Sequence, residues 1–259
     1  MPITATAALP EAISAAAITA FIIFCRIGGC LMVMPGFSSP RVPFQARMFL
    51  AIAATLAVAP LLMPSIDQIT SGLSPPALAQ LIIAETITGA ILGLMGRFFF
   101  LALQFMATAA ATAIGFGGIP GSLAEDTEPA MAPATLFTLT ATLLFFLTDQ
   151  HLEVIGALIE TYEVVPPGEG LNTNIALRRL ADTLAASFHV SLQVCAPFFV
   201  YSLVINFLVG VANKLTPQIP VYFISMPFVL VGGLLLMHAS IDEALRLFMS
   251  AFISWLAKG

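Results

Sequence analysis

The feature that most constrains this fold is a series of long apolar stretches with almost no formal charge. Five carry none, at residues 48–66, 98–124, 129–148, 183–213 and 215–241. Two more carry one charge each: residues 12–34 contain Arg26, and residues 77–96 contain Glu85. A helix needs about 20 apolar residues to cross the hydrocarbon core of a bilayer. The sequence therefore predicts an all-α polytopic integral membrane protein, a bundle of six or seven long apolar helices.

Composition excludes several other classes of protein. Charged residues make up 9% of the chain and hydrophobic residues 59%, with a mean hydropathy of +1.01, whereas about a quarter of a soluble domain is charged. The few Lys and Arg residues form no basic cluster, so we expect no nucleic-acid partner. The three cysteines lie in apolar stretches, and no HExxH, GxSxG or P-loop motif is present. We therefore expect no catalytic site, no metal site and no cofactor, and hence no enzyme.

Short connectors rich in Pro and Gly separate the apolar stretches. They leave no room for an interdomain linker, so we expect one membrane domain over residues 1–259. Pro60 and Pro64 are expected to end the second helix. Ser240 and Glu243 fit a capping box, which predicts a C-terminal amphipathic helix at about residues 240–257. Such a helix would lie on the membrane surface or pack on a neighbour.

The number of crossings depends on residues 77–118, which are either a hairpin broken at Arg97 or one long element. A hairpin gives seven crossings, and seven crossings with the N-terminus outside place nearly all Lys and Arg on the cytoplasmic side. One continuous element gives six crossings and removes most of this bias. The count of basic residues thus favours the hairpin. A further helix running from Asn174 to Asn213 would be about 55–60 Å long, longer than the bilayer core of about 30 Å.

Arg26 and Glu85 are the isolated charges of the apolar stretches. A charge at the bilayer centre costs about 2.5–3.5 kcal/mol, so the two predict an ion pair with each other or with a partner subunit. Alternatively, Arg26 extends its head group towards the end of its helix. Gly89 and Gly93 lie on one helix face ahead of Arg97, and small residues on a face favour close helix packing.

A glycine-rich apolar segment at residues 114–121 cannot hold a helix. Irregular backbone at membrane depth is tolerated when it is buried in protein or lines a cavity. The segment is therefore a candidate gate or plug loop, and an ordinary turn at the membrane surface is the alternative. The plug residues would be Gly115, Phe116, Gly117, Gly118, Ile119, Pro120 and Gly121.

Four segments in chain order resemble the FliR family of type III export-gate subunits, and the likeness covers nearly the whole chain. The first runs from Arg26-Ile27-Gly28 to Arg47, and the second combines Glu85, Gly89, Gly93 and Arg97. The third begins at Phe145 and ends at Pro166-Pro167-Gly168. The fourth is the turn that contains Lys214, Pro217 and Gln218.

The resemblance implies a subunit of the flagellar type III protein-export gate. Such subunits join FliP- and FliQ-type subunits in a helically arranged gate, with an FlhB-type subunit around its cytoplasmic side. Unfolded flagellar proteins pass through it across the inner membrane at the basal body. The family places its gating plug in the loop that corresponds to residues 114–121. The resemblance also implies that helices pack on partner helices as well as on lipid, so that apolar stretches outnumber true crossings.

Two other functions remain open at this point. A stand-alone secondary transporter or permease would also be a polytopic helical protein, although it would commonly show repeated halves and intramembrane ionisable residues. The equivalent subunit of a virulence injectisome would share the fold. Dependence on FliP- and FliQ-like partners separates a gate subunit from a permease.

Overall fold

The computed structural model describes residues 4–39, 42–116, 132–168 and 173–257, with side chains from residue 13 onward. Every regular element in these residues is a helix. In chain order, the seven helices of the described part are α1 Thr4–Val33, α2 Phe44–Thr70, α3 Pro75–Ala113, α4 Ala132–Leu147, α5 Gln150–Val164, α6 Thr173–Leu215 and α7 Val221–Leu256. The predicted all-α architecture of long apolar helices is therefore confirmed.

Helix α3 is continuous through Arg97, so residues 77–118 do not form the hairpin that the basic-residue count favoured. A single arginine does not break a helix, and an interior glycine such as Gly96 costs only about 1 kcal/mol. The prediction that Pro60 and Pro64 end the second helix is also wrong, because α2 continues through both to Thr70. Apolar helices tolerate interior proline when neighbouring groups satisfy the freed carbonyls.

Five helices in the described residues are long and apolar enough to cross a membrane. Helices α4 and α5 pass this test only when they are taken together. Asp149, between them, has a left-handed backbone, φ 56°. The described part of the chain therefore offers five spans, or six if α4 and α5 together make one.

The chain divides into two compact units. Unit 1 comprises Met1–Arg97 and Asp149–Thr183. It holds α1, α2, the first part of α3, all of α5 and the start of α6. Its core is made of apolar side chains that are almost completely buried, such as Ile22, Ile27, Leu31, Ile66 and Leu158.

Unit 2 comprises Phe98–Thr148 and Leu184–Lys258, and aromatic rings form its core. The ring of Phe100 meets those of Phe145, Phe248 and Phe252 edge to face, with centroids 5.3–6.0 Å apart. Edge-to-face pairs contribute about 0.5–1.5 kcal/mol beyond the area they bury. These contacts hold the C-terminal half of α7 against α3 and α4.

Helix α7 runs without interruption from Val221 to Leu256, so no separate helix begins at Ser240. The Ser240 hydroxyl donates to the Leu236 carbonyl at 2.8 Å, which is a bond inside a helix and not a cap. The capping-box pattern therefore gave a wrong helix start, because the apolar segment before Ser240 is helical as well. The face predicted for residues 240–257 does exist within α7, since Leu245, Phe248 and Phe252 are all buried.

Candidate functional site

The structure pairs the two isolated charges of unit 1 directly. Arg26 on α1 donates from Nε to Glu85 Oε2 at 2.5 Å and from Nη2 to Glu85 Oε1 at 2.9 Å. This fork geometry is the strong form of an arginine–carboxylate contact. Arg26 is 0% exposed and Glu85 2% exposed. The guanidinium therefore lies inside the unit against Glu85, and the alternative in which it extends to the end of α1 does not occur.

The same guanidinium also binds the C-terminal end of α5. Its Nη2 donates to the Val165 carbonyl at 3.0 Å. Its Nη1 donates to the carbonyl of Thr161 at 3.2 Å and to the hydroxyl of that residue at 3.3 Å. A guanidinium has five N–H donors, and these contacts with the two to Glu85 use them all. The carbonyls at a helix C-terminus carry partial negative charge, which a cation stabilises.

Tyr162 lies beside this cluster and stacks on the cation. The guanidinium carbon of Arg26 is 3.9 Å from the centroid of the Tyr162 ring, within the range of a cation–π contact. The Tyr162 hydroxyl is buried and has no hydrogen-bond partner among the described residues. Tyr162 therefore binds the cluster through its ring face. We refer to Arg26, Glu85, Thr161, Tyr162 and Val165 as the Arg26 cluster.

Glycines on α1 and α3 bring these helices into backbone contact. A Cβ added to Gly89 would overlap the carbonyl oxygen of Arg26, and one added to Gly93 would overlap that of Cys30. In the opposite direction, a Cβ on Gly29 would lie 2.7 Å from the Thr86 carbonyl oxygen. The glycine face predicted on the third helix is thus the surface on which α1 packs. Its close approach sets Arg26 level with Glu85, since Gly89 lies one turn beyond Glu85.

Arg97 does not join the cluster. It is half-buried on α3 and makes no hydrogen bond or ion pair with any residue that the structure describes. Arg97 belongs with Glu85, Gly89 and Gly93 to the second segment of the family resemblance, and it lies outside the contact between Arg26 and Glu85.

The predicted plug loop lies mostly outside the described residues. Helix α3 ends at Ala113, and the Ala113 carbonyl accepts a hydrogen bond from the Ser202 hydroxyl at 2.7 Å. Gly115 then takes a left-handed backbone with φ 97° that favours glycine. The remaining plug residues from Gly117 to Gly121 fall in the part not described, so the plug stays a prediction.

The family-signature turn between α6 and α7 is compact and exposed. Lys214 is in the last turn of α6, where a cation faces the helix carbonyls. The Thr216 carbonyl accepts from the Ile219 amide at 3.1 Å, which closes the turn around Pro217 and Gln218. All three signature residues are exposed. They do not contribute to the core of unit 2, and their side chains are available for contacts with other molecules.

Sequence reasoning missed three members of the Arg26 cluster. Val165 acts through its backbone carbonyl, which every residue carries, so its residue type does not mark it. Thr161 acts through its carbonyl as well as its hydroxyl. Tyr162 lies inside the third segment of the family resemblance, between Phe145 and Pro166, and nothing in its residue type indicated a contact with Arg26.

Comparisons with known proteins agree with the resemblance read from the motifs. The family model described as bacterial export proteins, family 1, matches residues 17–254. The flagellar biosynthetic protein FliR of Caulobacter vibrioides is 30% identical over 228 residues, covering 86% of this chain and 88% of that protein. FliR of Escherichia coli is 27% identical over 220 residues, covering 83% of this chain and 80% of that protein. FliR of Aquifex aeolicus is 26% identical over 230 residues, with 86% and 85% covered.

These matches extend over both units and over all the motifs that carried the resemblance. They also favour the flagellar version over the injectisome, because each of these relatives is a flagellar biosynthetic protein. The chain therefore belongs to the FliR family of bacterial export proteins and is a subunit of a flagellar type III protein-export gate.

Proposed function

We propose that this chain works only as part of a gate assembled with FliP- and FliQ-type subunits in the inner membrane at the flagellar basal body. An FlhB-type subunit contacts its cytoplasmic side. Unfolded flagellar proteins cross the membrane through the conduit that these subunits enclose. In this proposal the chain forms part of the wall of the conduit, helps to close it, and carries out no chemical step.

The observation that carries the proposal is the length of the exposed apolar face on α6. Exposed apolar side chains occur from Leu184 to Leu215 within unit 2, interrupted by the exposed polar side chains of His189 and Gln193. At 1.5 Å per residue this face is about 46 Å long, against a hydrocarbon core of about 30 Å. Burying all of it in lipid would need a tilt of about 50°, whereas spanning helices tilt by about 20° on average. Partner helices are the remaining apolar surface that can cover it.

The first half of α7 exposes a similar surface. In the window of α7 that qualifies as a span, 6% of the residues are buried, the smallest share among the five candidate helices in the described residues. Phe223 and Phe228 are each 75% exposed there. Phe, Tyr and Trp side chains bury large apolar areas and dominate the energetics of cores and interfaces. They fit a chain that packs against other subunits.

The Arg26 cluster counts against the permease alternative. Transporters use intramembrane charges to bind substrates or protons. Here the five donors of Arg26 are taken by its own chain, and both oxygens of Glu85 accept from Arg26. A solute would have to break this buried pair in order to bind. The cluster therefore has the character of a structural contact.

A co-purification experiment and an export assay together test the proposal. We expect the affinity-tagged chain to retain FliP- and FliQ-type proteins through solubilisation in mild detergent, and to accumulate poorly when these partners are deleted. A strain that lacks this chain should release no hook or filament protein into the medium, and expression of the intact chain should restore release. A chain that is stable alone and moves a small solute into vesicles would contradict the proposal and favour a permease.

Removal of the plug loop tests the closure role. We expect assembled gates that lack residues 115–120 to let small ions through, because irregular apolar loops at membrane depth are retained where they close or line a cavity. The measurement is ion flux into vesicles that contain the assembled gate. The control is the intact gate at the same copy number. Equal flux in both would reject the plug, although the gate assignment would stand.

A further inference from the structure

An ion pair alone does not account for the geometry of Arg26. A lysine would neutralise Glu85 equally well, but it brings its donors on one nitrogen atom and cannot fork. Arg26 directs two of its five donors to Glu85 and three to α5. We propose that Arg26 is the positioning residue of α5: it docks this helix on the α1–α3 pair by capping the carbonyls at its C-terminal end.

The C-terminal end of α5 carries no basic residue of its own, although the Val165 amide donates to the Thr161 carbonyl at 2.8 Å. Glu160 and Glu163 lie near this end, so the helix's own charges oppose its dipole. Arg26 supplies the missing cation from another helix. It reaches both ends of the last turn, since Thr161 O lies inside α5 and Val165 O lies just past its last residue. The cap therefore stabilises the turn electrostatically and also fixes its position against α1.

The apolar contact of α5 is narrow. Val154, Leu158 and Tyr162 are buried at spacings of four residues, which makes a single stripe along the helix. The opposite face exposes Glu153, Glu160 and Glu163. At 15 residues, α5 is near the length below which isolated helices are marginal in water. A narrow stripe on a short helix leaves a large share of its docking to the polar contacts at its end.

The chain path also gives α5 no continuous support from its predecessor. Helix α4 belongs to unit 2, while α5 belongs to unit 1. Asp149, between them, has a left-handed backbone with φ 56°. Because the helical hydrogen bonds are interrupted there, α4 does not force α5 into its place. The docking of α5 thus depends on contacts within unit 1, and the hydrogen bonds from Arg26 are polar contacts among them.

The test separates α5 docking from α1–α3 packing with two buried thiol reporters. One version of the full chain keeps Cys30 as its single thiol, which is 1% exposed beside Gly93. The other replaces all native cysteines by alanine and introduces Leu158→Cys at a position that is 3% exposed. Each is expressed with the other export proteins in membranes, and maleimide labelling rates are measured. The test variant is Arg26→Lys, and Arg97→Lys is the matched control.

Labelling of a buried thiol follows the population of locally opened states. The lysine keeps the charge opposite Glu85 and loses the donors to α5, each of which was a charge-assisted hydrogen bond. We expect Arg26→Lys to speed labelling at position 158 by about tenfold or more and to leave Cys30 protected. Arg97→Lys should change neither rate.

Every other pattern overturns the proposal. Unchanged protection at both positions would mean that α5 docks without Arg26. Faster labelling at both would make Arg26 a general core residue of unit 1, and faster labelling at Cys30 alone would assign it to the α1–α3 contact. The result does not depend on the export function, because the measured quantity is the labelling rate of thiols within the chain.

Discussion

Replacing Gly89 by alanine is expected to destabilise the chain severely, although alanine is the better helix former. Helix propensity alone favours the change by about 1 kcal/mol. The added Cβ, however, would overlap the carbonyl oxygen of Arg26 and lie 2.8 Å from its carbonyl carbon. These are backbone atoms of a buried helix and cannot rotate away. Overpacking a close-packed interior costs about 1–3 kcal/mol and occasionally more, and α1 would also have to move away from Glu85.

Gly156 provides the matched control for this substitution. It is also a glycine inside a helix, but a Cβ added there meets nothing within 4 Å. Gly156→Ala should therefore be neutral or stabilise by up to about 1 kcal/mol. The measurement is the thermal stability of the purified chain in detergent. Opposite signs for the two substitutions are the expected result, and a Gly89→Ala chain as stable as the unsubstituted one would refute backbone contact between α1 and α3.

Removing either charge of the buried pair is expected to have the second large effect. Glu85→Ala leaves the Arg26 guanidinium buried without a counter-charge, and Arg26→Met leaves the carboxylate in the same position. Breaking a buried pair by removing one partner costs about 3–5 kcal/mol. The double variant removes both charges together, so its loss should be smaller than the sum of the two single losses.

The coupling energy decides whether the pair acts as a unit. Contacting residues show coupling of about 0.5–3 kcal/mol, whereas distant sites are additive. We expect a value near the upper end, because both oxygens of Glu85 bind Arg26. The double variant should still be less stable than the unsubstituted chain, since the methionine cannot donate to α5. Unfolding midpoints of the four chains give the coupling, and strict additivity would show that the two charges are stabilised separately.

The sequence predicted the ion pair because its two members stand out. Charges are rare in apolar helices, so Arg26 and Glu85 were conspicuous, and each was an obvious partner for the other. The glycine face could be predicted for a similar reason, because Gly89 and Gly93 repeat at helical spacing. Both signals are local and carried by side-chain type. They led to the contact between α1 and α3 and to the centre of the site.

Features that depend on backbone atoms or on distant parts of the chain could not be predicted from the sequence. The carbonyls of Thr161 and Val165 bind Arg26 without any distinguishing residue type. Helix α3 was expected to break near Arg97 because seven crossings would place nearly all Lys and Arg on the cytoplasmic side. It continues because one arginine and the adjacent Gly96 are not enough to end a helix. At Ser240 a correct local capping pattern was overridden by the helical propensity of the segment before it.

The glycine contact between α1 and α3 also limits how a damaged chain can be repaired by a second mutation. At Gly89 and Gly93 the obstructing atoms belong to the main chain of Arg26 and Cys30, and no replacement of those side chains creates space. Gly96 differs, because the atoms nearest to a Cβ added there are Sδ and Cε at the far end of Met34 and, at 3.9 Å, the ring of Pro35. Genetic suppressors of a Gly96 substitution should therefore arise at Met34 itself, whereas suppressors at Gly89 or Gly93 should map elsewhere in the chain or prove unobtainable.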